Sequence, residues 1–183
     1  MQANKNGFYY VIDRVTGQFI SGQPYSHVTW AKGLNEETGR PMVNPEALYG
    51  ADPILISPGG GGAHNWSPMS FNPITGLTYI PTSTANSFTY AMTPDFSPKP
   101  GQTTGTVRPA PTATRPPPPS IGPEPVEVGN RGALVAWDPV AQQMRWRMPG
   151  GGGIGGGTLT TAGNLVFQVV NDGRLLAYSA DKG

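Results

Sequence analysis

The sequence predicts an all-β fold of antiparallel strands joined by tight turns, and three observations carry that prediction. Glycine (26) and proline (21) together exceed a quarter of the 183 residues, a level that marks either disorder or a fold with many turns. The apolar residues are gathered into short runs rich in Val, Ile, Tyr, Phe and Trp, each closed by turn residues, which a disordered chain lacks. No stretch keeps a helical period over three turns.

The β-type runs, in order, are Gly7 to Asp13, Tyr25 to Trp30, Leu77 to Ile80, Ala133 to Trp137, Asn164 to Val170 and Arg174 to Tyr178. Between them a turn recurs with the pattern [D/N]-x-x-T-G, at Asp13 to Gly17, Asn35 to Gly39 and Asn72 to Gly76. Degenerate copies stand at Asp138 to Gln142 and Ser179 to Gly183. The Asx oxygen accepts a nearby backbone N–H, and glycine supplies the positive φ that closes the turn. Leaving out the Asn35 copy, the starts at 13, 72, 138 and 179 are 59, 66 and 41 residues apart. Each interval fits one four-stranded unit of ~40–50 residues, with a long loop added in two cases.

From about residue 94 to 128 the chain is dense in Pro, Thr and Gly, with four prolines after Arg115. Proline cannot feed a sheet ladder, so this segment reads as an extended, solvated, irregular loop between units. A polyproline ligand for another protein is the alternative.

Composition excludes several function classes. A net charge of +1 offers no electrostatic footprint for nucleic acid or anionic lipid. With no cysteine there is no disulfide, thiolate metal site, C-x-x-C redox pair or covalent haem attachment. No apolar run approaches ~18 residues and the start carries no apolar h-region, so neither a membrane span nor a signal peptide is expected in this chain. The second glycine cluster, Gly150 to Gly157 interrupted by Ile154, contains G-x-G-x-x-G. A strand-like Thr158 to Thr161 follows it where a dinucleotide site needs a helix. Gly59 to Gly62 lacks a G-K-[ST] ending. His27 and His64 are the only histidines, which argues against zinc, and no G-x-S-x-G elbow is present.

What remains is the stretch from Ala63 to Gly76. A glycine run delivers an amide (Asn65) and an indole (Trp66) side by side just before a strand, an arrangement suited to a planar, acceptor-rich ligand. The alternative is an Asn-Trp pair that caps a loop and plugs the core. Lys5, between two asparagines and just before a β run, is placed to point at the same site.

These residues together resemble the pyrroloquinoline-quinone (PQQ) dependent alcohol dehydrogenases, the quinoproteins and quinohaemoproteins. The matching segments are Lys5 to Arg14, Trp30 to Leu34, Ala63 to Trp66 and onward, Ala133 to Ala141, Gly157 to Gln168 and Tyr178 to Gly183. They cover nearly the whole chain outside the Pro-rich loop. The resemblance implies part of an eight-bladed β-propeller of four-stranded antiparallel blades, here a partial ring of roughly three to four blades over residues 1–183. The family's blades are locked by a tryptophan docking motif, roughly A-x-D-x-x-T-G-x-x-x-W. Ala136, Trp137, Asp138 and Trp146 match its ends, with Ala141 and Gln142 in place of Thr-Gly. The turns at 13 and 72 end on Ser21 and Ile80 instead of tryptophan, so weaker docking is expected there.

By the same resemblance Lys5 matches the basic residue that hydrogen-bonds the ortho-quinone oxygens, and Asn65 and Trp66 match an Asn-Trp pair on the cofactor's polar edge. Gly155 and Gly156 match a Gly-Gly that follows a Trp-Asn in many relatives; that Trp-Asn is missing here. The family's aspartate base, calcium ligands and vicinal disulfide match nothing in this chain, so no catalytic or metal-ligating residue is assigned. Calcium and haem c are left open for the parent enzyme, and no ligands for them stand in this chain. The expectation is a segment carrying part of the quinone pocket, periplasmic by resemblance, acting on a small alcohol only with the remaining blades, or self-associating through exposed blade faces. A non-catalytic propeller scaffold or interaction module is the alternative.

Overall fold

A computed structural model of the chain describes residues 1–83, 87–101, 105–125, 132–149 and 156–183. Its strands are β1 (Gln2–Ala3), β2 (Phe8–Ile12), β3 (Phe19–Pro24), β4 (Ala31–Leu34), β5 (Pro41–Val43), β6 (Ile54–Ile56), β7 (Ser70–Asn72), β8 (Leu77–Thr82), β9 (Phe88–Met92), β10 (Val107–Pro109), β11 (Ala133–Asp138), β12 (Gln143–Pro149), β13 (Thr158–Thr161), β14 (Leu165–Val169) and β15 (Leu175–Ser179). The only helical element among the described residues is a single 3-10 turn at Pro45–Ala47. Every ladder is antiparallel, as the run lengths and turn residues predict.

Three sheets stack in series: a first sheet β1-β2-β3, a central sheet β12-β11-β8-β7 and a third sheet β13-β14-β15. Among the described residues only the central sheet has the expected four strands. Two further sheets, the three-stranded β10-β9-β6 and the two-stranded β4-β5, flank this stack. The central sheet is buried on both faces, which explains why β8 and β11 read as continuous runs and not as alternating ones. Ile80, Val135 and Trp137 turn toward Tyr9 and Tyr25 of the first sheet's cluster. Leu77, Tyr79, Leu134, Ala136 and Trp146 turn toward Val166 and Ala180 of the third. The outward face of the first sheet is covered by Val28 and Ala31 around Phe8. That of the third sheet carries the exposed Leu159, Leu165, Val169 and Leu175.

The Asx turns form as their composition dictates. Asp13 Oδ1 accepts the N–H groups of Val15 and Thr16, both at 2.8 Å, and Gly17 takes φ +76°. These bonds hold the Asp13 carboxyl below its usual range. The turns do not all close the same joint, however. Residues 13–17 join β2 to β3, 72–76 join β7 to β8, 138–142 join β11 to β12, and 179–183 follow β15. The motif is a local solution for any tight antiparallel joint, so the intervals of 59 and 66 residues compare different joints. Ile80, accordingly, is no docking position: it lies inside β8 and packs toward Tyr9.

Two further expectations change. The run from Tyr25 to Trp30 makes no strand; its one ladder contact is the Val28–Ile121 bridge. Its hydrogen bonds go to loops instead, with Tyr25 donating to Asn4 O (2.7 Å) and Trp30 Nε1 to Asn6 O (3.0 Å). The described part of the Pro-rich segment is mostly irregular, but it lies against the body of the protein. It holds β10, its Ile121 bridges Val28, and the Arg115 guanidinium donates to Leu48 O (3.0 Å) and Glu46 O (2.8 Å). Residues 102–104 and 126–128 of that segment lie outside the described residues.

Candidate functional site: one end of the sheet stack

Antiparallel connectivity sorts the loops to two ends. The Asx turns at 13–17, 72–76 and 138–142 occupy one end of their sheets, and the connections alternating with them occupy the other. At that other end lie the β1–β2 connection carrying Lys5, the segment leading into β7 that carries Asn65 and Trp66, and the entry to β13 at Gly156. Backbone bonds link these connections. Ala63 N donates to Lys5 O (3.0 Å) and Thr158 N to Pro68 O (2.8 Å). The structure therefore brings together four of the five residues singled out from sequence: Lys5, Asn65, Trp66 and Gly156. Gly155 lies outside the described residues.

The backbone beneath Lys5 is fixed on every side. The three consecutive carbonyls from Asn4 to Asn6 each accept a bond from another part of the chain: Tyr25 Oη–H to Asn4, Ala63 N–H to Lys5 and Trp30 Nε1–H to Asn6. Asn6 Oδ1 in turn accepts the Phe8 N–H at 3.0 Å. The Lys5 side chain is exposed above this platform. The Lys5 ammonium thus rides on a flexible four-carbon stem anchored to a hydrogen-bonded backbone.

The glycine run earns its composition by close approach. A Cβ on Gly62 would collide with the Lys5 side chain, and one on Gly59 with the Phe88 ring. Gly60 N donates to Tyr90 Oη at 2.7 Å. The loop is thus threaded between Lys5 and the Phe88–Tyr90 pair, whose rings stack at 6.1 Å and 28°. This aromatic flank was missed by sequence reasoning, because Phe88 to Met92 gives no motif of its own. On the far side, a Cβ on Gly157 would meet Pro68, and Gly156 N donates to Val169 O at 2.8 Å. Gly156 thus serves the backbone junction of the third sheet.

Asn65 donates one amide hydrogen to Gly61 O (3.3 Å) and is exposed. Trp66 is 89% exposed, which overturns the reading of this pair as a core plug. His64, the neighbour of both, is buried instead. Its Nδ1 lies 2.9 Å from Pro81 O, and burial lowers the imidazole's pKa from its ordinary value. Among the described residues no group of three His, Cys, Asp or Glu side chains gathers for a metal ion. No helix there is long and apolar enough to cross a membrane.

No family model matches the chain. Relatives do. The quinohemoprotein alcohol dehydrogenase ADH IIB of Pseudomonas putida is 45% identical over 183 residues, which is 100% of this chain and 25% of that protein. The chain is homologous, end to end, to one quarter of the quinohaemoprotein alcohol dehydrogenases. The solved quinohemoprotein alcohol dehydrogenase ADHIIG of Pseudomonas putida HK5 superposes with a TM-score of 0.81 at 38% identity, covering 100% of this chain and 27% of that one. The corresponding enzyme of Comamonas testosteroni gives 0.78 at 38% identity, over 98% of this chain and 26% of its own. The three stacked sheets are therefore propeller blades. This quinoprotein-like segment spans about a quarter of the length of the curated relatives it matches.

A quinone cofactor bearing carboxylates presents acceptor atoms around a flat ring system. The donor set here, an ammonium, a carboxamide and an exposed indole on one rigid end, is chemically suited to that shape. An indole left 89% exposed beside polar donors also fits a surface that a flat ligand covers.

Proposed function

We propose that residues 1–183 form one partial-propeller domain, with the irregular Pro-rich loop at about 94–128, that supplies one side of the PQQ site in a periplasmic PQQ-dependent alcohol dehydrogenase. The observation that carries this reading is the convergence of Lys5, Asn65 and Trp66 on one end, with the Lys5 backbone held at three successive carbonyls. PQQ, when bound, supplies the two-electron acceptor for oxidising an alcohol to an aldehyde. The Lys5 ammonium balances negative charge on the quinone oxygens, Asn65 orients the polar edge, and Trp66 offers a flat face that excludes water. Gly155 and Gly156 would let the backbone of the β13 entry approach the same ligand. The aspartate base, calcium and haem c of the assembled enzyme belong to other parts of it, and the apolar face of Leu159, Leu165, Val169 and Leu175 would pack against a further blade. A second copy of the chain would compete for that face.

The test is a titration of the purified chain with free PQQ, followed by quenching of tryptophan fluorescence. Lys5→Ala should weaken binding by roughly tenfold or more, as the loss of a charge-assisted bond implies. The same variant should unfold within about 0.5 kcal/mol of the parent, as exposed positions do. A Lys5→Ala chain that binds PQQ like the parent would remove Lys5 from the quinone.

A further inference from the structure

The edge of β8 raises a problem that His64 solves. β7 covers β8 only as far as the Ser70–Tyr79 pair, so beyond it the edge of β8 needs other partners. Pro81 has no N–H to offer there, which rules out a regular ladder pair. Its carbonyl is nonetheless buried with the rest of the strand, and a buried carbonyl without a donor is costly. The chain answers with the segment that leads to the site. Ser83 N donates to Ala63 O at 2.6 Å, and the His64 ring, not its backbone, reaches Pro81 O at 2.9 Å. A carbonyl can only accept, so Nδ1 carries the proton. One residue earlier, Ala63 N donates to Lys5 O. Residues 63 and 64 therefore tie the Lys5 connection of the first sheet to the end of β8 in the central sheet. Asn65 and Trp66 follow immediately.

We propose that His64 is the positioning residue of this site: its Nδ1–H bond to Pro81 O fixes the Asn65–Trp66 pair at a set distance from Lys5. The ligand in question is the quinone of the preceding section, and to that extent the inference rests on that reading; the clamp itself does not. His64 touches no ligand and acts through its two neighbours. Only a side chain with a donor at the Nδ1 position can do this. The asparagine amide nitrogen can stand where Nδ1 stands, whereas that of glutamine stands where Nε2 does.

The experiment compares His64→Asn, His64→Gln and His64→Ala in the full chain by amide hydrogen exchange and by PQQ titration. The amides of Ala63 and Ser83 report the clamp, and that of Val135, inside β11, reports the core. His64→Asn should leave all three within about twofold of the parent. His64→Gln and His64→Ala should speed exchange at Ala63 and Ser83 by about tenfold and leave Val135 alone. PQQ affinity should fall about tenfold in those two variants and be kept in His64→Asn. If the asparagine and glutamine variants exchange alike, or Val135 speeds up in step with Ala63, His64 is only a core residue and the proposal fails. A parent chain that binds no PQQ, yet shows the asparagine-specific rescue of exchange, would sink the quinone reading and leave the clamp standing.

Discussion

The two interfaces between successive blades are built from the same turn but closed by opposite means. Between the central and third sheets, Trp146 of β12 reaches across to donate Nε1–H to Ala180 O at 3.1 Å. Its ring lies 5.7 Å from Tyr79 and 6.4 Å from Tyr178. Gly183 admits it, since a Cβ there would meet Met148 and the Trp146 ring. Between the first and central sheets, the position eight residues after the turn's first residue is Ser21, and the position equivalent to Gly183 is Gln142. Gln142 Nε2 donates to Ser21 Oγ (3.1 Å) and to Pro139 O (2.8 Å). Pro139 stands in its turn where Ala180 stands in the next. One carbonyl thus accepts its hydrogen bond from an indole sent by the preceding blade, and the other from an amide on its own turn. The two departures from the docking motif form a matched pair: a small residue where the tryptophan was, and a long one where the glycine was.

The substitute has costs. Gln142 keeps the positive φ (+52°) that glycine would adopt without strain, and its Oε1 is buried without a partner. Trp137 Nε1, facing the same interface, is also buried and unpartnered. The first interface is held by apolar area around Tyr9, Tyr25 and Trp137, with the Tyr9–Thr78 hydroxyl pair at 2.7 Å as its buried polar bond. The second adds an aromatic stack and a carbonyl shared by Tyr79 Oη–H and Trp146 Nε1–H. Trp146→Ala should therefore have the largest effect, about 3–5 kcal/mol by loss of a buried aromatic. It should be read as a drop in the denaturant midpoint, with faster amide exchange in β14 than in β2. Equal exchange in both would mean that the third sheet does not depend on this docking residue.

The matched pair can be tested by swapping it back. Ser21→Trp alone drives an indole into the Gln142 side chain and should cost about 1–3 kcal/mol, as overpacking does. Gln142→Gly alone loses two hydrogen bonds but relieves the left-handed strain, so its effect should be small. In the double variant the new indole finds room over a glycine and the Pro139 carbonyl ahead of it. The pair should couple favourably by about 1 kcal/mol or more. Strict additivity in equilibrium unfolding would show that Ser21 and Gln142 vary independently.

How much of this was legible in the sequence depends on how local the cause was. The strands of β2, β8, β11, β14 and β15 follow from short β-branched and aromatic runs, and the Asx turns from four or five residues each. The clustering of Lys5 with Asn65 and Trp66 was reachable only through resemblance, because strand order, not spacing, brings residue 5 beside residue 63. The spacing of the turns misled, since the same motif closes joints of different kinds. His64 gave no sign of its bond to Pro81, and Gln142 read as a defect in the docking motif because its partner, Ser21, stands 121 residues away. Tyr25 to Trp30 looked like a strand because buried residues in an irregular connection have the same composition as a short strand.

The smallest expected effect sharpens the contrast most. Trp137 and Trp146 are both buried on the central sheet, the first 2% and the second 9% exposed, and each packs against a tyrosine, Tyr9 at 5.8 Å and Tyr79 at 5.7 Å. They differ in the fate of one polar atom, since Trp146 Nε1–H has a carbonyl and Trp137 Nε1–H has none, and in the second ring, Tyr178, that Trp146 also meets. Replacing either by phenylalanine removes a similar volume and a similar apolar area. In Trp146→Phe the loss of the bond adds about 1 kcal/mol to that packing cost. In Trp137→Phe the removal of an unpartnered donor returns its desolvation cost, about 1–3 kcal/mol, and offsets the packing loss. Trp137→Phe should therefore unfold within about 1 kcal/mol of the parent and be clearly the milder of the two. If it proves the more damaging, the Trp137 indole has a partner at the first interface, and the two interfaces are more alike than their side chains suggest.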